Sequence, residues 1–102
     1  MNDIKCILIE PYKAPIYITV HFGFNSCDNT PSHILGGSPT ILGANHDQDL
    51  VLSGRNQHEV NSFPLNTNSL LDSFNMEENL RGPLLIMKTN EHGDPINCDF
   101  DI

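Results

Sequence analysis

Tryptophan is absent from this sequence of 102 residues, and Lys and Arg together number only 5 against 13 Asp and Glu. The formal net charge is -8, and the basic side chains are scattered singly along the chain. A protein that grips a nucleic-acid backbone needs many cationic contacts to phosphates. The composition therefore argues against general nucleic-acid binding, but it is compatible with a small anion that needs one or two cations.

Cysteine is also scarce, and the 3 cysteines cannot all pair within one chain. No secretory signal precedes the first apolar segment, because Met1 leads almost directly into a strand pattern. We therefore expect reduced thiols and a cytosolic location. The longest apolar runs, such as residues 84–87, are too short to span a bilayer, so we expect no membrane association.

The signatures of catalysis and of metal binding are missing. The 5 histidines show no zinc-site spacing, and neither a C-x-x-C pair nor a phosphate-binding glycine loop occurs. Cys27 lies near His33, which is a nucleophile beside a base, but nothing in the pattern supplies a third, orienting group. We predict no catalytic residue, no metal and no cofactor, with the histidines at the surface or at an interface.

What the sequence does contain is a series of short strand patterns. Residues 4–9 are apolar on both faces, which is typical of a central strand, and residues 16–20 alternate, with Ile16, Ile18 and Val20 predicted to face inward. Residues 40–43 and 50–52 predict two further strands. A last hairpin is predicted from residues 84–88 and 96–100, with Gly93 in the turn.

Two short helices complete the expected fold. Thr30 can cap a helix that has Pro31 in its first turn and ends at Gly36. Asn68 can cap a second helix that continues through Phe74. The prediction is a single domain over residues 1–102 of α+β class, with a small, mainly antiparallel sheet and one or two short helices. A domain this small gains from hiding its sheet edges, so we expect a homo-oligomer.

One segment has the chemistry of a binding site. Phe63, Pro64, Leu65 and Asn66 place a ring, a rigid turn and an amide together, and a ring can stack while an amide can pair with a base edge or with backbone. Because other cations are scarce, Arg55 and Arg81 are the predicted anion contacts. The predicted ligand-binding residues are therefore Arg55, Phe63, Asn66 and Arg81. The alternative is a loop packed on the core, with Asn66 bonded to backbone groups.

The order of motifs resembles a family of small proteins carried by phages, plasmids and conjugative elements. The resemblance rests on I-E-P-Y-K-A-P at residues 9–15, the G-G that closes the first helix, P-L-N at 64–66, and G-P-L-L-I at 82–86. It implies an accessory protein without catalytic residues that acts in the host cytosol. It also implies a role against host defence, because some such proteins resemble sponges that sequester a nucleotide signal.

Three functions follow as hypotheses. The first is non-catalytic sequestration of a small, nucleotide-like anion. The second is an acidic inhibitor that binds a host defence protein through a basic patch on that partner. The third is a small nucleotide hydrolase, which would need convergent His, Asp or Glu side chains that the sequence does not indicate.

Overall fold

A computed structural model describes residues 3–22, 29–74 and 79–99. Its elements in chain order are β1 (Asp3–Ile9), β2 (Ile16–His21), α1 (Pro31–Leu35), β3 (Thr40–Asn45), β4 (Leu50–Gly54), β5 (Leu65–Asn66), a 3₁₀ helix (Ser69–Phe74), β6 (Leu80–Arg81), β7 (Leu84–Thr89) and β8 (Pro95–Ile96).

The main sheet confirms the predicted α+β class. Its strands follow the order β2-β1-β7-β4-β3, every neighbouring pair is antiparallel, and β8 pairs with β7 off this path. β5 and β6 form a separate two-stranded sheet that the sequence analysis did not predict. None of the described helices is long and apolar enough to cross a membrane.

The sheet is packed on both faces, because the side chains of its central strands alternate between two apolar clusters. Ile7, Ile9 and Ile86 belong to the cluster under the 3₁₀ helix, whereas Cys6 and Leu85 belong to the cluster under α1. The central position predicted for β1 is therefore confirmed.

The two predicted helices begin where their caps indicate. Thr30 accepts a hydrogen bond from the backbone N–H of His33, and Gly36 ends α1 at φ 78°, a left-handed conformation that glycine adopts without strain. The Asn68 side chain accepts from the backbone N–H of Leu70 at 2.9 Å, which opens the 3₁₀ helix.

Two details of the strands differ from the predictions. Ile16 was predicted to face inward, but it is 50% exposed, because it is the first residue of β2 and borders the β1–β2 loop at the rim of the sheet. The return strand predicted at 96–100 is only Pro95–Ile96, because the chain then turns to β1: the Lys5 N–H donates to the Asn97 side chain, and the Cys98 N–H donates to the Lys5 carbonyl. Phe100 lies outside the described residues.

Candidate functional site

Three of the four predicted ligand-binding residues lie together. The guanidinium of Arg55 lies 5.7 Å from the centre of the Phe63 ring, which is within the range of a cation–π contact. Arg81 Nη1 donates to the Phe63 carbonyl at 2.9 Å. Because β5 pairs with β6 through Leu65 and Arg81, this small sheet brings Arg81 to a segment that is remote from it in sequence.

Arg55 is held firmly within this cluster. Its Nη2 donates to Glu59 at 3.5 Å, and its side chain is 22% exposed. Its Nε is buried without a hydrogen-bond partner, close to the backbone of Gly37, where a β-carbon would lie only 2.8 Å from that nitrogen. The arginine thus packs between the end of α1 and the Phe63 ring, and much of its hydrogen-bonding capacity faces the protein.

Gln57 completes the arginine cluster and was missed by the sequence analysis. Its Oε1 accepts from the Arg81 N–H at 2.8 Å, and its Nε2 donates to the carbonyls of Arg55 and Arg81 at 3.1 and 3.3 Å. The side chain therefore acts like an extra strand residue beside β6. No local pattern indicates the bonds to β6, because Gln57 and Arg81 are 24 residues apart in the chain.

The Asn66 side chain bonds to backbone carbonyls rather than to the two arginine side chains. It is buried, and its Nδ2 donates to the carbonyls of Ile9 and Gly82 at 3.0 Å each. The amide nitrogen therefore fastens β5 to the end of β1 and to the turn before β7. This is the backbone-bonding arrangement that the sequence analysis weighed as the alternative to ligand contact.

A groove lies directly beside Asn66. It has a volume of about 280 Å³ and is formed between the β1–β2 loop and the segment that precedes the 3₁₀ helix. Its lining residues are Glu10, Tyr12, Lys13, Asn66, Thr67 and Asn68.

Tyr12 is the most unusual residue of this groove. It is 90% exposed, and its φ of 64° lies in the left-handed region, which costs a residue with a β-carbon roughly 1–2 kcal/mol. Strained backbone positions cluster at active sites, ligand clamps and switch regions. The positive φ of Tyr12 has no local signature in the sequence.

The groove combines three kinds of binding chemistry. Tyr12 offers a face for stacking, Thr67 and Asn68 offer a hydroxyl and an amide, and Lys13 offers a cation. Lys13 Nζ pairs with Glu10 at 3.0 Å, but both side chains are exposed, at 69% and 38%. An exposed ion pair contributes about 1 kcal/mol or less, so an anionic ligand could displace Glu10 from the lysine.

The described cysteines are core residues rather than nucleophiles. Cys6 and Cys98 are both fully buried, and desolvation, reinforced by the nearby Cys98, raises the pKa of Cys6 to about 12. The pair of Cys27 with His33 cannot be compared with the structure, because Cys27 lies outside the described residues. Within those residues, no three His, Cys, Asp or Glu side chains lie close enough to hold a metal ion.

Fold and groove together define a small α+β protein whose antiparallel sheet carries a polar, aromatic-lined groove at one end. The chain belongs to a family of unknown function, DUF5880, whose model matches residues 20–101. That match includes Asn66 and the arginine cluster, whereas Tyr12 and Lys13 precede it. No curated protein and no solved structure matches the chain.

Proposed function

We propose that this protein is a non-catalytic binding protein for a small, nucleotide-like anion, and that the β1–β2 loop groove holds the ligand. The single observation that carries the proposal is Tyr12, an exposed ring at a strained backbone position on the rim of a concave polar groove. A base stacked on such a ring gains about 1–3 kcal/mol.

The remaining groups of the groove match the other parts of a nucleotide. Lys13 would pair with a phosphate, and Thr67 and Asn68 would bond to the base edge or to the sugar. A single accessible lysine limits the ligand to low phosphate charge, because the protein as a whole carries a net charge of -8 and repels anions. Sequestration of such a ligand is the role against host defence that the resemblance to mobile-element proteins implies.

The groove differs from the site that the sequence analysis predicted, and a pair of variants distinguishes the two. Lys13→Gln removes the cation of the groove, and Arg55→Gln removes one cation of the arginine cluster. The wild type and both variants are screened by thermal shift against linear and cyclic nucleotides, each against its own ligand-free melting temperature. Ligand recovered from the protein is then examined by chromatography.

If the groove holds the ligand, some nucleotide should raise the melting temperature of the wild type and should be recovered unaltered. Lys13→Gln should then weaken binding by about 10-fold, the effect of losing one charge-assisted contact. Arg55→Gln should change the affinity by less than about 2-fold, since Arg55 lines none of the groove. If Arg55→Gln weakens binding more than Lys13→Gln does, the ligand lies in the arginine cluster instead. Recovery of a chemically altered nucleotide would refute the non-catalytic assignment.

A second candidate is supported by a different feature of the same loop. Tyr12, Ala14 and Ile16 are all exposed and follow one another along the β1–β2 connection. Exposed Tyr beside aliphatic side chains is typical of the anchors of protein–protein interfaces, and the acidic surface favours a basic partner. If no nucleotide shifts the wild type while a host protein is captured in a salt-sensitive complex that Tyr12→Ala abolishes, the acidic-inhibitor function replaces the nucleotide one.

A further inference from the structure

The outer edge of β3 is a strand edge that the described chain leaves open. β3 is the last strand of the sheet and pairs on one side with β4. Among residues 3–22, 29–74 and 79–99, no backbone hydrogen bond outside that pairing reaches Thr40–Asn45. Unpaired N–H and C=O groups on such an edge are a template for another strand.

The opposite edge of the sheet is used differently. On β2, the His21 N–H donates to the Asn29 carbonyl at 2.9 Å, and the Asn29 side chain donates to the Thr19 carbonyl at 3.2 Å. Part of the outer edge of β2 is thus already occupied by the chain itself. The two edges of the sheet are therefore not equivalent.

The edge of β3 also lacks the charged side chains that guard most natural edges. No Asp, Glu, Lys or Arg occurs between Asp28 and Asp47, which is the longest interval without such residues in the chain. Edge strands are ordinarily guarded by charged side chains, by proline or by bulges. Here a bulge between Ile41 and Gly43 is the one irregularity within the strand.

An exposed side chain and an apolar depression lie next to each other on this edge. Ile41 is 70% exposed, which is the highest value among the large aliphatic residues that the structure describes. It borders a depression of about 230 Å³ on the α1 face of the sheet. The other lining residues are Phe22, Pro31, Pro39, Thr40, Ser53, Leu85 and Met87, none of which is charged.

We propose that two copies of this chain pair antiparallel through β3, which joins their sheets into one. A twofold axis perpendicular to the sheet keeps the α1 faces of both copies on the same side. Each Ile41 then lies beside the apolar depressions of the pair. The interface is isologous, because the open edge, the exposed isoleucine and the depression belong to one patch.

Charge favours a second copy over another partner. Two chains of net charge -8 repel each other over most of their surfaces, so they approach most easily where neither carries charge. A basic partner would gain nothing from this uncharged patch. The pairing does not depend on the ligand proposed above.

The test compares the same substitution on the two edges. Ile41→Lys places a cation on the open edge, and Ile16→Lys is the matched control on β2, where the isoleucine is 50% exposed. Neither change buries a charge within a monomer, so circular dichroism and thermal unfolding should show both variants folded. Sedimentation equilibrium over a range of protein and salt concentrations then measures the dimer dissociation constant.

The wild type and Ile16→Lys should both sediment at about twice 11.4 kDa, the mass of one chain. Ile41→Lys should weaken the dimer by about 100-fold or more, because each lysine would set a charge against the uncharged, apolar surface of the interface. The wild-type dimer should tighten as salt rises, since salt screens the repulsion between the acidic copies. A wild type that is monomeric throughout, or a dimer broken by Ile16→Lys but not by Ile41→Lys, would overturn the proposal.

Discussion

Replacement of Asn66 by Ala should lower the free energy of unfolding by about 3 kcal/mol, because the amide donates to two buried backbone carbonyls. Its Nδ2 donates at 3.0 Å to both Ile9 and Gly82, and all three residues are buried. Each hydrogen bond contributes about 1 kcal/mol net, and a buried acceptor left without a partner adds a further penalty of about 1 kcal/mol or more. For a domain of this size, the loss corresponds to a fall in melting temperature on the order of 10–20 °C.

Urea denaturation followed by circular dichroism measures this effect, and Asn68→Ala provides a matched control two positions away. The Asn68 side chain makes one described hydrogen bond, in which its Oδ1 accepts from the Leu70 N–H at 2.9 Å, so its loss should cost about 1 kcal/mol, as for other helix caps. A loss for Asn66→Ala no larger than that of the control would refute the structural role assigned to the Asn66 amide.

Two further pairs of measurements test the packing. Gly37→Ala should lower the free energy of unfolding in urea by about 1–2 kcal/mol, because its β-carbon would meet Arg55 Nε at 2.8 Å. Gly93→Ala should lower it by about 1 kcal/mol through its φ of 82° alone, because no atom lies within 4 Å of the added β-carbon. A loss at Gly37 no larger than that at Gly93 would show that Arg55 is not held there. The Cys6 thiol should resist a thiol reagent until the protein unfolds, because its pKa is raised from 9.0 to about 12 by burial. Since only the unfolded state loses this proton between those pH values, the Cys6 contribution to stability is full below pH 9 and declines as the pH rises towards 12; rapid labelling of Cys6 in the folded protein at neutral pH would contradict this.

The local features of the fold could be predicted because their causes are local. Thr30, Pro31 and Gly36 act within one or two turns of α1, and their roles as start and stop signals are confirmed. The turn at Gly93 likewise follows from a residue that adopts a positive φ without strain. The central position of β1 could also be predicted from local sequence. Alternate residues of a strand face opposite sides of the sheet, so apolar residues at successive positions of this one segment indicate burial on both faces.

The features that the sequence did not reveal depend on distant parts of the chain. Arg81 joins Arg55 and Phe63 only through the pairing of β5 with β6, which are too short to give a strand pattern. The exposure of Tyr12 and its positive φ depend on how the β1–β2 loop is held, and no neighbouring residue in the sequence indicates them. The groove could therefore not be predicted from the sequence, although Asn66, one of its lining residues, was among the predicted ligand-binding residues.

The measurement that tests the central claim most directly is the affinity of Tyr12 variants for the nucleotide that gives the largest thermal shift with the wild type. Isothermal titration calorimetry is applied to the wild type, Tyr12→Ala and Tyr12→Phe. Loss of the ring should weaken binding by about 5- to 150-fold, the effect of removing one stacked base, whereas Tyr12→Phe should stay within about 2-fold of the wild type. An unchanged affinity in Tyr12→Ala would contradict the assignment of the groove as the binding site.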